Sequence, residues 1–344
     1  MTPGSPIHPS PARLLLRPAL ACLVALSTPH AAAQDLPGRT DDLIPAKLES
    51  VYKRGLDYLA QSQTAQGGAW DDGGAGGEPA VVGLAVVAFL AHGEDPNQGP
   101  YAKNIRNGIE YILSQQNKSN GYIGSSMYNH GFATLALAES YAMVDNPKIA
   151  PALRKAVDLI LNAQKRNRSG AWRYTPESLD ADTTVSGCQL VALFAARNAG
   201  IPVPDRTFKD GLNFLSRCRG SDGAYGYTSA GSGRVTLTAI GSLCMSLAKE
   251  RESKSFKLST EFLKGHLDYR ERTYPFYFEY YMSQALFQAD QELWRQWNAK
   301  NIEYLSISQG ADGSWPGNQG ATFNTAAALL SLALNYRFLP IYER

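Results

Sequence analysis

A unit of about fifty residues recurs along this chain, and such internal repetition limits the fold more than any single motif does. Residues 150–199 hold one complete copy. Leu153, Ala156, Val157, Ile160 and Leu161 fall at i, i+3, i+4, i+7 and i+8, one face of an amphipathic helix that ends near Gln164. Gly170, Ala171 and Trp172 then mark a turn, and Val185 to Ala199 is apolar almost all round, the pattern of a helix covered on every side. One half of the unit faces outward and the other half inward.

Five further copies follow this template. The first runs VYKRGLDYLAQSQ, GGAW, AVVGLAVVAFLAHG; the second IRNGIEYILSQQ, GYIG, HGFATLALAESYAMV; the fourth FKDGLNFLSRC, GAYGY, VTLTAIGSLCMSLA; the sixth WNAKNIEYLSISQ, GSW, FNTAAALLSLALNY. The fifth, FKLSTEFLKGHLDY and TYPFYFEYYMSQALFQA, lacks the Gly-Trp turn. Aromatic turn positions Trp70, Tyr122, Trp172 and Tyr225 stand 52, 50 and 53 residues apart. Inner helices without a polar face must be covered on all sides, so six hairpins close into a ring of twelve helices, an all-α α/α toroid. The last inner segment is as apolar as the middle ones and lacks the polar cap that an open solenoid needs.

Residues 1–33 carry Arg13 and Arg17, an apolar run from Ala19 to Leu26 and a small-residue end at Ala31 to Ala33, which read as a secretory signal peptide. Residues 34–47 read as an extended tether, and residues 48–344 as the toroid domain. The expectation is an exported protein, periplasmic or secreted. No apolar run is long enough for a transmembrane anchor. The chain has 33 Lys+Arg against 31 Asp+Glu, and cleavage removes two arginines and no acid. A near-neutral protein without a basic stripe is not built for nucleic acid. Cys188, Cys218 and Cys244 are an odd set on largely apolar segments and imply no disulfide framework. The histidines are scattered, so no metal site and no cofactor are expected. Asp71, Asp72 and Glu78 lie in the glycine-rich loop 63–79, where a tight turn and acids before a helix start account for them without calcium.

A Gln placed before a Gly-x-Trp turn, as in Gln63 with GGAW, Gln164 with GAW and Gln309 with GSW, resembles the prenyltransferase and squalene oxidase repeat of the terpenoid cyclase and protein prenyltransferase superfamily. The resemblance spans nearly all of the chain after the signal and implies an α/α toroid. It says little of activity, because that toroid hosts cyclases, zinc prenyltransferases, thioester domains and binding proteins. Class II cyclases of this superfamily carry Asp-x-Asp-Asp-Thr, whose middle Asp protonates the isoprenoid. The matching segment here is Asp180, Ala181, Asp182, Thr183, Thr184, with Thr183 in place of the third acid. The resemblance makes Asp182 the candidate acid and Asp180 its candidate support. The alternative is that Asp182 caps the third inner helix. The zinc ligands of prenyltransferases and the Cys-Gly-Glu-Gln string of thioester domains are absent.

Candidate ligand-binding residues are Tyr274, Tyr277, Glu279 and Tyr280 in the aromatic fifth unit, Tyr225 and Tyr227 at the fourth turn, and His130 at the start of the second inner helix. Aromatic walls suit a carbocation, an apolar ligand or a sugar-like one. Three readings stand open: a toroid binding an apolar or mixed, isoprenoid-like small molecule; a metal-independent cyclase with Asp182 as general acid; and a scaffold for a protein partner. For the leader, N-terminal sequencing of the exported protein is expected to begin at Gln34, after cleavage behind Ala33; a chain retaining Met1 would overturn the export reading.

Overall fold

The computed structural model describes Met1, residues 44–64 and residues 67–343. Apart from Met1, the expected signal peptide lies outside the described residues, as does the tether up to residue 43. The remainder, from Ile44, is twelve α-helices in six hairpins with no strand among the described residues: α1 (Ala46–Ser62) and α2 (Pro79–His92), α3 (Ala102–Ser114) and α4 (Met127–Ser140), α5 (Ile149–Arg166) and α6 (Thr183–Asn198), α7 (Asp205–Cys218) and α8 (Val235–Leu247), α9 (Lys254–Lys264) and α10 (Pro275–Ala289), α11 (Gln291–Ser308) and α12 (Ala321–Leu332). Two 3₁₀ turns follow, Ala333–Asn335 and Pro340–Tyr342. The first helix starts at Ala46, two residues inside the expected tether.

The even-numbered helices form the inner ring, each packed on the next, and α12 returns to α2. Each odd-numbered helix covers the groove between two inner ones, and α1 lies against both α12 and α2. The division follows from the residues. On α7 only one stripe is buried, including Phe208, Gly211, Phe214 and Leu215, whereas α2 is buried from Val81 to Ala91. Small residues let the inner helices approach: a Cβ at Gly187 would stand 2.1 Å from Ile240 Cγ2, and one at Gly83 would stand 2.8 Å from the Phe132 carbonyl.

The Gln-turn-Trp pattern is a double clamp. The Gln164 side-chain amide donates to the carbonyl of Gly170 in its own turn at 2.8 Å and to that of Thr207 on the next outer helix at 2.9 Å. Gln63 does the same to Gly68 and Asn104, Gln116 to Gly121 and Ala152, and Gln309 to Gly313 and Val51. The last joins the sixth unit to the first. The indole N–H groups of Trp70, Trp172 and Trp315 donate to the carbonyls of Leu59, Ile160 and Leu305 on their own outer helices. Asp72 adds a latch: Oδ1 accepts from the N–H groups of Gly74 and Gly76, and Oδ2 accepts from that of Thr322 on α12 at 2.7 Å.

One turn position differs from the sequence expectation. In the second unit the buried residue is Ile123, not Tyr122. The Ile123 N–H donates to His130 Nδ1, as those of Trp172, Tyr225 and Trp315 donate to Ser186, Thr238 and Thr325. An aliphatic residue fills the slot, so an alignment on aromatic rings slips by one.

The far end of the barrel is filled. Phe132 on α4 meets Tyr280 on α10 edge to face at 6.1 Å, and these helices stand on opposite sides of the inner ring, so the contact spans its axis. Beyond it, Ile341 and Tyr342 are buried at the C-terminal end. Truncating Trp172 to Ala removes a fully buried ring and its hydrogen bond, and is expected to cost about 3–5 kcal/mol. A thermal unfolding midpoint that stays unchanged in this variant would count against the repeat geometry.

Candidate functional site

All six inner helices begin at the same end of the ring, and their first turns enclose a cavity of about 720 Å³. Val81, Tyr128, Thr184, Leu237, Tyr277 and Phe323 represent α2, α4, α6, α8, α10 and α12 in its wall, and Phe132 lies at its floor. Every helical lining residue lies within the first six of its helix, about 9 Å at a rise of 1.5 Å per residue. The site is therefore a shallow bowl at the mouth, floored by Phe132, which packs on Tyr280 beneath it.

Five tyrosines line it: Tyr128, Tyr174, Tyr227, Tyr274 and Tyr277. Tyr174 and Tyr274 are about half exposed at the rim. The Tyr174 and Tyr227 hydroxyls are hydrogen-bonded to each other. The Arg173 guanidinium lies 5.4 Å and 5.7 Å from their ring centroids, and its Nη1 is 2.6 Å from Asp180 Oδ2. Such stacking holds the pair as a platform. Three charged side chains share the wall, Glu78, Arg234 and Glu271. Asn129 Nδ2 donates to Glu78 Oε2 at 2.5 Å. Burial pushes the Glu271 carboxyl up, but hydrogen bonds from the Thr273 N–H, the Tyr269 hydroxyl and the Arg272 N–H outweigh it and hold the group below its ordinary range. It is a carboxylate.

Asp182 stands directly behind this wall, fully buried at the start of α6. Its Oδ1 accepts from the N–H groups of Thr184 and Val185, both at 2.9 Å, and from the Thr184 hydroxyl at 2.6 Å. Since that hydroxyl spends its proton on Asp182, the Tyr128 hydroxyl, 2.5 Å from it, is the donor in their contact. Asp182 Oδ2 is buried without a hydrogen-bond partner. Burial raises the Asp182 carboxyl above its ordinary range; the bonds from Thr184 and Val185 and the charge of Arg173 offset only part of that. The residue thus caps the helix, and its capping bonds lower the pKa by less than burial raises it.

The other expected site residues divide. Tyr227, Tyr274 and Tyr277 line the bowl. Asp180 does not support Asp182: it faces solvent, drawn out by Arg173. His130 is fully buried, with Nδ1 accepting from Ile123 and Nε2 donating to the Ala156 carbonyl at 2.9 Å, so both nitrogens are committed to structure. Burial pushes it down to about 4, against the pull of the Ala156 carbonyl, and the ring is neutral. Tyr225 takes the buried turn slot of the fourth unit, its hydroxyl on Met245 Sδ at 3.0 Å. Tyr280 fills the barrel axis. Glu279 is buried outside the bowl lining, and burial raises it to about 8 despite Arg270. None of these four faces the bowl. Sequence reasoning missed Tyr128, Tyr174, Phe323, Glu78, Arg234 and Glu271, which lie in or just before the first turn of an inner helix or in the turn that leads to one. Collecting those positions from all six units would have found most of them.

Among the described residues no group of His, Cys, Asp and Glu is placed to hold a metal ion. Cys188, Cys218 and Cys244 are free and buried. No described helix is long and apolar enough to cross a membrane.

A closed double ring of helices with its cavity at the inner N-termini defines an α/α toroid. The chain belongs to the family described as a domain of unknown function, DUF6288, which matches residues 49–341. No curated protein matches it. Among solved structures it is similar to the type II terpene cyclase MstE from Scytonema (TM-score 0.57, 14% identity, covering 85% of this chain and 99% of that one). It is also similar to the GH76A alpha-1,6-mannanase from Salegentibacter sp. HEL1_6 (TM-score 0.62, 6% identity, 83% and 98%) and to a family 76 glycoside hydrolase from a bovine Bacteroides thetaiotaomicron strain (0.62, 9%, 85% and 78%). At these identities the likeness is one of fold.

A raised carboxyl stabilises the fold below its unfolded pKa and loses that contribution as pH rises through the folded value. Asn caps almost as well as Asp and carries no charge. The thermal midpoint of Asp182→Asn, taken relative to the parent, is therefore expected to rise between pH 4 and pH 7. A relative fall over that window would mean that the capping bonds, and not burial, set the Asp182 pKa.

Proposed function

We propose that the mouth binds a saccharide, a ligand with apolar ring faces and many hydroxyls. The observation that carries this reading is the mixed wall of one shallow bowl: tyrosine rings beside Glu78, Arg234, Glu271 and the side chains of Ser125, Ser126 and Gln319. A hydrocarbon seated here would strip water from three charged groups and give nothing back, a cost of several kcal/mol. Sugar hydroxyls replace that water while C–H faces lie on the rings. The volume falls in the range of about 300–1,000 Å³ usual for small-ligand sites. Two of the fold neighbours named above are a mannanase and a glycoside hydrolase, and export, as inferred from residues 1–33, would bring the protein to extracellular glycans.

The test is titration calorimetry with short alpha-1,6-mannooligosaccharides. Tyr174→Ala, which removes a half-exposed platform ring, is expected to weaken binding about tenfold, the worth of roughly 1.4 kcal/mol, while Tyr174→Phe keeps most of it. Equal affinity in parent and Tyr174→Ala would remove the mouth from the site.

A second reading, an isoprenoid-like ligand protonated by Asp182, draws on one observation: a fully buried carboxyl with a bare Oδ2 and a raised pKa lies behind Thr184 and Tyr128. The MstE structures include a complex with geranylgeranyl dihydroxybenzoate. Conversion of that compound by the purified protein, lost in Asp182→Asn, would favour this reading over the first.

A further inference from the structure

A second depression, about 700 Å³, lies beside outer helix α5 and is bounded by the turn at residues 119–122 and by Pro176 and Glu177. The same two loops wall the mouth: Ser125, Ser126 and Tyr128 follow Tyr122, and Tyr174 precedes Pro176. Two residues of one loop, Ile123 and Gly124, and one of the other, Thr175, separate the depressions, at most about 10 Å and 7 Å of extended chain. The Met127 N–H donates to the Tyr174 carbonyl at 2.8 Å and stitches the loops into one ridge.

The groove's chemistry narrows what it takes. Lys155, Lys165, Arg166, Asp158 and Glu177 line it, and none is ion-paired among the described residues. The Asn162 side chain lies beside them, and the Tyr122 hydroxyl is buried there without a hydrogen-bond partner. A polyanion would meet Asp158 and Glu177, a polycation Lys155, Lys165 and Arg166, and an apolar chain would leave all five stranded. An uncharged polyhydroxyl chain finds both donors for its oxygens and acceptors for its hydroxyls.

We propose that this groove is the outer half of a binding track for a neutral polysaccharide, which crosses the ridge at Tyr174 and ends in the mouth. The inference rests on the saccharide reading of the mouth and deepens it: the protein recognises a chain of several sugar units. Length dependence tests it. Alpha-1,6-mannooligosaccharides of two, four and eight units are titrated into the purified protein, into Asp158→Ala/Lys165→Ala, whose exposed positions on α5 spare the core, and into Tyr122→Phe. The octamer is expected to bind the parent at least tenfold tighter than the dimer. In the double variant the octamer falls to the dimer's affinity while the dimer is unchanged, and Tyr122→Phe gives part of that loss. A dimer that binds with no gain from added units, or a double variant that keeps the whole gain, overturns the track and leaves the mouth reading in place. Binding of no length overturns both.

Discussion

A glutamine amide with two carbonyl acceptors is the interaction on which the ring depends. Each clamp ties a turn to itself and to the outer helix of the next unit, so the hydrogen bonds run around the circumference and not only within hairpins. A single side-chain hydrogen bond contributes only about 1 kcal/mol net. Its larger effect is geometric, because it fixes the angle at which one hairpin meets the next, and small errors in that angle would keep six units from closing. The Gln309 clamp on Val51, with Asp72 on Thr322, makes the closure explicit. The fourth and fifth units lack the glutamine. Between them the Ser259 hydroxyl donates to the Gly223 carbonyl at 2.8 Å, a shorter reach that accompanies the eleven-residue helix α9.

Closure decides where a ligand site can be. With every inner helix starting at the same end, the loops that carry the clamps also build the mouth, while the opposite end is sealed by Tyr342 and its neighbours. The positive ends of six helix dipoles converge on the bowl. Ser126 and Asp182 cap two of them, and Asp72 reaches α12 from another unit. The starts of α8 and α10 carry no side-chain cap. The bowl therefore sits in a field that favours electron-rich groups, within a wall that also holds Glu78, Glu271 and Arg234. That balance suits neutral oxygen-bearing ligands better than a fully charged one.

The fold was legible because its signals are periodic: one-faced and all-round apolar helices alternate, and Gly-Trp turns punctuate them, so each unit corroborates the others. At Tyr122 ring chemistry and repeat position disagree, since Ile123 fills the slot with a side chain that has no ring. The site was less legible. Tyr227, Tyr274 and Tyr277 were recognisable as aromatics near a helix start, but so were Tyr225 and Tyr280, which the structure uses as core. Periodicity says that a residue on an inner helix is buried; it does not say whether it is buried against protein or beside a cavity, because both environments are apolar and aromatic. His130 shows the same degeneracy, standing where other units place Ser186 or Thr238 and doing their work.

Asp182 joins two roles that the sequence presents as alternatives. A carboxylate that accepts two or three donors ordinarily has a lowered pKa, and one stripped of water a raised one. Here both act on one group, and burial prevails. Because all three donors fall on Oδ1, any proton the group takes must sit on Oδ2, the oxygen without a partner. The cap thus fixes the site of protonation. It also fixes the wall in front of it: with the Thr184 proton committed to Asp182 and the Tyr128 proton to Thr184, Tyr128 has no proton left to offer the bowl. What it offers is oxygen lone pairs, at a point where a ligand hydroxyl could donate and a hydrocarbon could not.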